Sequence, residues 1–179
     1  RSLGEAAQRL LEAASLIGDD FDLALATSAS ALGEWEALRA LEAALAARLV
    51  RRRAGAGELI RFEHDLVAQT LQAGMAPERQ ALVHRALVGP LSQRQAPPAR
   101  IAEHAERGGD RAAACRWRLL ALDAARRSFA LGDVLAQAER VLALDPSPAQ
   151  AIAAHVARAQ ALRQRADLRG AEAALASAA

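Results

Sequence analysis

The chain has 179 residues, enough for one large domain or two small ones with a sizeable core. Apolar residues make up 53% and charged ones 25%, and alanine, leucine and arginine dominate, so the composition reads as globular and helical, neither disordered nor fibrous. A formal net charge of +2 is too close to balance for the basic pI of 9.8 to argue for nucleic acid, and the absence of lysine excludes a Schiff-base lysine, a lysine general base and a P-loop lysine.

Aromatic residues are only 3%, so the core must be built from small and aliphatic side chains. Cys115 is the sole cysteine, which rules out an internal disulfide within the chain and fits a reducing cytoplasm. No stretch reads as a membrane span or a signal peptide, and no membrane partner is expected. The chain begins at Arg1, without a methionine, inside a helical pattern, and reads as part of something larger.

The first helix is expected over about Leu3 to Ile17, with Ala7, Leu10, Leu11, Ala14 and Ile17 on one face. Gly18 stops it, and "DDFD" reads as the start of a short second helix with Phe21, Leu23 and Leu25 for the core. A long amphipathic helix comes next from about Glu34, its apolar row being Trp35, Leu38, Leu41, Leu45 and Leu49. The period then changes. "LVRRR", "AGAGE" and "LIRF" predict two short strands around a glycine-containing turn, with Ile60 and Phe62 on one side and Leu59 and Arg61 on the other. Three helices and a two-stranded wing make a winged helix. Two more helices are expected from Asp65 to about Ala73 and from Pro77 to Leu91.

The polar, proline-bearing "SQRQAPPAR" is the best linker, placing a winged-helix domain with two following helices at 1–94 and a helical repeat region at 95–179. Gly132–Asp133 and Ala166–Asp167 lie 34 positions apart, the tetratricopeptide period, and "LALDPSP" closes one unit. The fold expected is therefore mainly α: a winged helix followed by tetratricopeptide-like hairpins, an α-solenoid with a concave face. "AEAALASAA" has no polar capping helix after it, so more of the parent protein is expected beyond it.

"RLLEAASLIGDDFDLALA", "LEAALAARLV", "RFEHDLVAQTL", "ERQALVHRAL" and "IAEHAERGGDRAAACRW" occur in that order. Together they resemble the region downstream of the ATPase core in bacterial STAND signal-transduction NTPases, the large transcription regulators of the maltose-regulator, LuxR-type and transcriptional-activation-domain kinds. The resemblance covers nearly the whole chain. It implies a winged helix, then a tetratricopeptide-like superhelix that senses an inducer or partner protein, with ADP or ATP held by a separate module and DNA contacted through another domain. No G-x-x-x-x-G-K-[ST] occurs in this chain, so no cofactor is expected within it.

His64–Asp65 has three readings. Catalytic acid–base chemistry needs a nucleophile or metal partner, and His84, His104, His155 and Cys115 offer none at useful spacing. The resemblance implies a second reading, since relatives of the plant-resistance and apoptotic type place a winged-helix "HD" pair here whose histidine reaches the β-phosphate of ADP. An imidazole N–H donating to a phosphate oxygen makes physical sense of that role. Glu63 departs from those relatives, which usually carry methionine at that position. The third reading is a helix cap by Asp65 or His64.

Arg51, Arg52 and Arg53 offer a DNA-backbone or interdomain contact, but Glu34, Glu36 and Glu42 against Arg39 and Arg48 give the preceding helix a face that phosphate would repel. Trp35 and Trp117 are expected as core anchors, and His84 and His104 as packed histidines. Arg126, Arg127, Arg158, Arg163 and Arg165 are placed to line a basic groove for an acidic peptide or ligand. The function expected is a non-catalytic coupling and sensing arm between an NTPase module and an output domain. Two other classes stay open: a DNA-binding winged helix with a helical dimerisation arm, and a repeat scaffold that holds another protein.

Overall fold

The computed structural model describes residues 4–53, 55 and 58–178. The expected first residue of the opening helix, Leu3, most of the "AGAG" turn and the terminal Ala179 lie outside the described residues. The described chain is mainly helical, with a small three-stranded antiparallel sheet. It divides into two compact units, Arg1–Arg94 and Gln95–Ala179.

In the first unit α1 (Glu5–Ile17) is the central element. Leu10, Leu11, Ala13 and Ala14 are fully buried, because α2 (Leu23–Ser30), α3 (Glu34–Ala46), α4 (Asp65–Gly74) and α5 (Pro77–Gln93) all pack on it. Burying a leucine so completely stabilises the fold by about 2 kcal/mol. Even a carboxylate is carried in: Glu12 accepts from Gln8 Nε2 at 2.8 Å and pairs with Arg79 Nε at 3.2 Å, at an angle that leaves its Oε2 without a true hydrogen bond.

The hairpin expected from the change of period is present as β2 (Val50–Arg52) against β3 (Ile60–Phe62), with Gly55 at φ 73° in the turn. The sheet has a third strand that periodicity did not reveal. "DDFD" starts the second helix only at its last residue: Asp20–Phe21 is β1, paired antiparallel with β3, and the order is β1-β3-β2. Asp22 comes next and caps α2 by accepting from Leu25 N at 2.8 Å.

The register explains the extra strand. Arg51 stands opposite Arg61 on β3, a like-charge pair, and Asp20 stands opposite Arg61 on the other side. Asp20 accepts from Arg61 Nε and Nη2, both at 2.8 Å, and from Arg53 at 2.5 Å. On the inner face Phe21 and Phe62 stack tilted at 5.7 Å over Val50 and Ile60, all four buried.

The apolar face of α3 is corrected. Ala37, Ala40, Leu41 and Ala44 are buried, whereas Trp35 is 78% exposed and Leu38, Leu45 and Leu49 are only half-buried. The helix has turned its alanine stripe inward, because small side chains let α3 lie close against α1. Trp35 is therefore no core anchor.

The second unit is a run of five helices: α6 (Pro98–Arg107), α7 (Arg111–Arg127), α8 (Leu131–Leu142), α9 (Pro148–Gln164) and α10 (Leu168–Ala176). Each packs on the next in the chain, and α7 also touches α9. One core joins Leu122 and Ala125 of α7, Val134, Ala138 and Val141 of α8, and Ala154, Ala157 and Ala161 of α9. The opposite side of α9 buries Ala159 against Ala171 and Ala174 of α10. His84 and His104 are buried, as expected of packed histidines, while Trp117 is half-buried.

The helices repeat at a longer interval than the sequence spacing suggests. α7 starts at Arg111 and α9 at Pro148, 37 positions on; α8 starts at Leu131 and α10 at Leu168, again 37 on. The match of Gly132–Asp133 with Ala166–Asp167 paired a first-turn position of α8 with the residues just before α10, three positions out of phase.

Candidate functional site

The ladder of β3 runs on past Phe62, with Glu63 N donating to Leu49 O at 2.9 Å, and delivers the chain to His64 in extended backbone. His64 is the N-cap residue of α4 by position. Its carbonyl accepts from Val67 N at 2.9 Å, but its side chain makes no cap bond, and Asp65 is already inside the first turn. The side-chain cap expected of this pair is absent, and the imidazole is exposed.

The helix that begins after His64 is unusual for a packed domain: α4 has no buried residue. It is tied to α1 by Gln72 Nε2 donating to Ser15 O, while Leu66 is 70% exposed and Val67 and Leu71 are half-exposed. These side chains, with Leu49 and Leu11, line an open apolar groove of about 360 Å³ that has His64 at its margin. Single exposed leucines are ordinary; a helix with none of its side chains fully buried is not.

On the other side His64 borders a cleft of about 580 Å³, whose charged lining is Arg48, Arg51, Arg52 and Glu63. The arginine run therefore splits. Arg53 points to Asp20 and Arg51 makes a loose pair with Glu63 at 3.5 Å, both groups exposed. Among the described residues no acid lies within pairing distance of Arg48 or Arg52. Arg48 sits at φ 55°, which places it between the end of α3 and β2 and turns the chain into the sheet. The site is thus a histidine between a positively charged cleft and an apolar groove.

Of the residues the sequence singles out, His64, Arg51 and Arg52 line one cleft, whereas Arg53 turns away to Asp20. Arg48 and Leu66 also belong to the site, and neither carries a sequence signal for it. Glu63, the departure from the expected methionine, leans on Arg51, so part of its charge is compensated within the cleft.

The nearby acids are held ionised. The Arg61 hydrogen bond, opposed by burial and helped by Arg53, holds Asp20 below the ordinary carboxylate value. For Asp22 burial pulls upward, but Arg94 and the Leu25 N–H outweigh it and the result is again a lowered value. In the second unit burial pushes the Cys115 thiol up, away from the reactive thiolate. Among the described residues no three His, Cys, Asp or Glu side chains converge as a metal site, and no helix is long and apolar enough to cross a membrane.

The other charged cluster is internal to the second unit. Arg118 is buried and donates to Glu106 Oε1 at 2.5 Å and to Gln137 Oε1 at 3.1 Å, while Arg140 reaches Glu106 Oε2 at 3.2 Å. It joins α6, α7 and α8, with its carboxylate taken up by the two arginines.

Comparison with protein-family models, curated proteins and solved structures finds no match to this chain.

Proposed function

We propose that the chain is the coupling and sensing arm of a bacterial STAND-type regulator, with residues 1–94 a winged helix and residues 95–179 tetratricopeptide-like hairpins. One observation carries this reading: an exposed histidine between an arginine cleft and the uncovered apolar face of α4. Such a surface is suited to a neighbouring module that presents a phosphate group to His64, Arg48 and Arg52 and lays apolar side chains over Leu66 and Val67. ADP or ATP bound in an NTPase module supplies that phosphate. Loss or gain of the contact shifts the population between a closed and an open packing, as differential affinity requires.

The test is His64→Ala in the full-length protein, with ADP retention and basal output as readouts. Faster loss of ADP and raised basal output are expected. Unchanged retention together with unchanged output refutes the sensor role.

The DNA-binding reading has less support. Glu34, Glu36 and Glu42 are all exposed on α3, the helix that would enter a groove, and Arg53 is turned to Asp20. Duplex binding by this chain that weakens steeply with salt would restore it. A repeat scaffold without a switch differs from the proposal in leaving α4 uncovered in the intact protein.

A further inference from the structure

Three inter-helix turns of the second unit share one geometry. In each, a residue at positive φ donates its N–H to the carbonyl three back, and the next residue donates to the carbonyl five back. Gly109 donates to Glu106 O and Asp110 to Ala105 O; Phe129 to Arg126 O and Ala130 to Ala125 O; Ala166 to Arg163 O and Asp167 to Leu162 O. The first residues have φ of 76°, 55° and 61°. This left-handed exit from a helix favours glycine and tolerates small residues. The next residue of two of the turns is an aspartate that caps the following helix: Asp110 accepts from Ala113 N and Asp167 from Gly170 N, both at 2.9 Å.

The middle turn breaks the pattern twice. It places a phenylalanine where its sisters have glycine and alanine, and an alanine where they have the capping aspartate. Phe129 gains nothing from the fold in return: it is 79% exposed. It stands at the rim of a groove of about 340 Å³ between the last turn of α7, the start of α8 and the C-terminal half of α9, with Leu131 and Val134 at its base.

The groove's charge is also specified. Arg126 donates to Gln160 Oε1 at 2.9 Å, which holds its guanidinium across from α7 to α9, and Asp123 pairs loosely with it at 3.7 Å. Among the described residues no partner engages Arg127. Asp123 is the only acid in the lining, so two arginines outweigh it, and Gln160 and Gln164 add amide groups. The unit as a whole is basic, with twelve arginines against nine acids, a net +3.

We propose that this groove binds an acidic peptide segment bearing an apolar anchor. The anchor packs on Phe129 and Leu131, and its neighbouring carboxylate is taken by Arg127 with Arg126 behind it. An exposed aromatic beside an arginine is the pairing that concentrates binding energy at protein interfaces. Of the five arginines the sequence offers for a basic groove, only Arg126 and Arg127 line this one; Arg158, Arg163 and Arg165 do not. The proposal gives the sensing arm a ligand class and rests on the STAND reading only for its biological use, because binding by the chain alone does not depend on His64.

The experiment uses the 179-residue chain and a short fluorescein-labelled peptide alternating Glu with Leu and Phe, monitored by fluorescence anisotropy. Controls carry Gln or Arg in place of every Glu. The acidic peptide is expected to bind with Kd below about 100 µM, a modest affinity for a small patch. Phe129→Ala and Arg127→Glu should each weaken it by roughly ten-fold or more, and Arg127→Glu should improve the arginine peptide. His64→Ala should leave both peptides unaffected, which separates this site from the nucleotide contact. Equal binding of the acidic and Gln peptides, or indifference to both groove variants, overturns the proposal. Self-association in sedimentation that Phe129→Ala abolishes also overturns it, assigning the face to a second copy of the chain.

Discussion

Replacing Arg118 by alanine tests the packing of the second unit more sharply than any apolar truncation. The Arg118 side chain is 7% exposed and that of Glu106 16%, so the pair sits where water screens it little. Breaking a buried pair by removing one partner costs about 3–5 kcal/mol, mostly because the remaining charge is left behind. Here Glu106 keeps Arg140, which is 63% exposed and 3.2 Å away, so the lower end of that range, about 3 kcal/mol, is expected. Removing both charges by Arg118→Met with Glu106→Leu keeps the volume and the stem packing and should cost about 1 kcal/mol or less. Arg140→Ala, acting on the exposed arm alone, should cost about 0.5 kcal/mol. Urea unfolding monitored by Trp117 fluorescence in a Trp35→Phe background reads this unit selectively, since Trp117 lies on α7 and Trp35 in the other unit. A cost below about 1 kcal/mol for Arg118→Ala, or a double variant as unstable as the single one, refutes the claim that desolvated charge holds α6, α7 and α8 together.

Two other sites make separate predictions. Phe129→Gly with Ala130→Asp gives the middle turn the pattern of its sisters, and thermal unfolding should show a gain of about 1–1.5 kcal/mol, from relief of the left-handed strain and a new cap; a loss of stability would mean that Phe129 packs in a way its exposure does not indicate. Asp20 contributes stability above its ordinary value of 3.8, and that contribution disappears as pH falls through the lower value set by Arg61 and Arg53. The stability of Asp20→Asn should therefore vary less steeply with acidification below 3.8 than that of the parent chain, as urea midpoints at stepped pH will reveal; parallel profiles would show that the sheet does not depend on this carboxylate.

The helices and the hairpin were legible because each rests on a local period. Leu10, Leu11, Ala14 and Ile17 share a helical face, and Ile60 and Phe62 a strand face, and both faces are buried. What escaped was long-range or comparative. β1 is two residues long and is held by Asp20 on Arg61 and Phe21 on Phe62, some forty positions away, so no window along the chain contains its cause. On α3 the leucine row is the more hydrophobic stripe, yet of it only Leu41 is buried, beside Ala37, Ala40 and Ala44, because close helix packing selects side-chain size and hydrophobicity alone does not report it. His64 was visible as a candidate from its neighbours in sequence. Its setting between Arg48 and Leu66 was not, since that depends on α3, β2 and α4 meeting.

The two surfaces singled out share a physical signature. A helix in a stable domain usually buries one face fully, and α4 buries its own only in part; a turn used three times in one unit keeps small residues and a cap twice, and at Phe129–Ala130 keeps neither. Elsewhere the same chain takes the stabilising option, carrying Glu12 and Arg118 inward only with partners and setting Asp20 against Arg61 and Arg53 at its sheet. At both places the departure stands beside an arginine with no ion-pair partner among the described residues, Arg48 and Arg52 near α4 and Arg127 near Phe129, which is the pattern expected where a contact is favoured over local stability. Both surfaces present apolar groups next to positive charge, so each calls for a partner that brings an anion together with an apolar group. The partners proposed for them differ in kind: a phosphate held by a folded neighbour at His64, and a carboxylate on a flexible segment at Phe129.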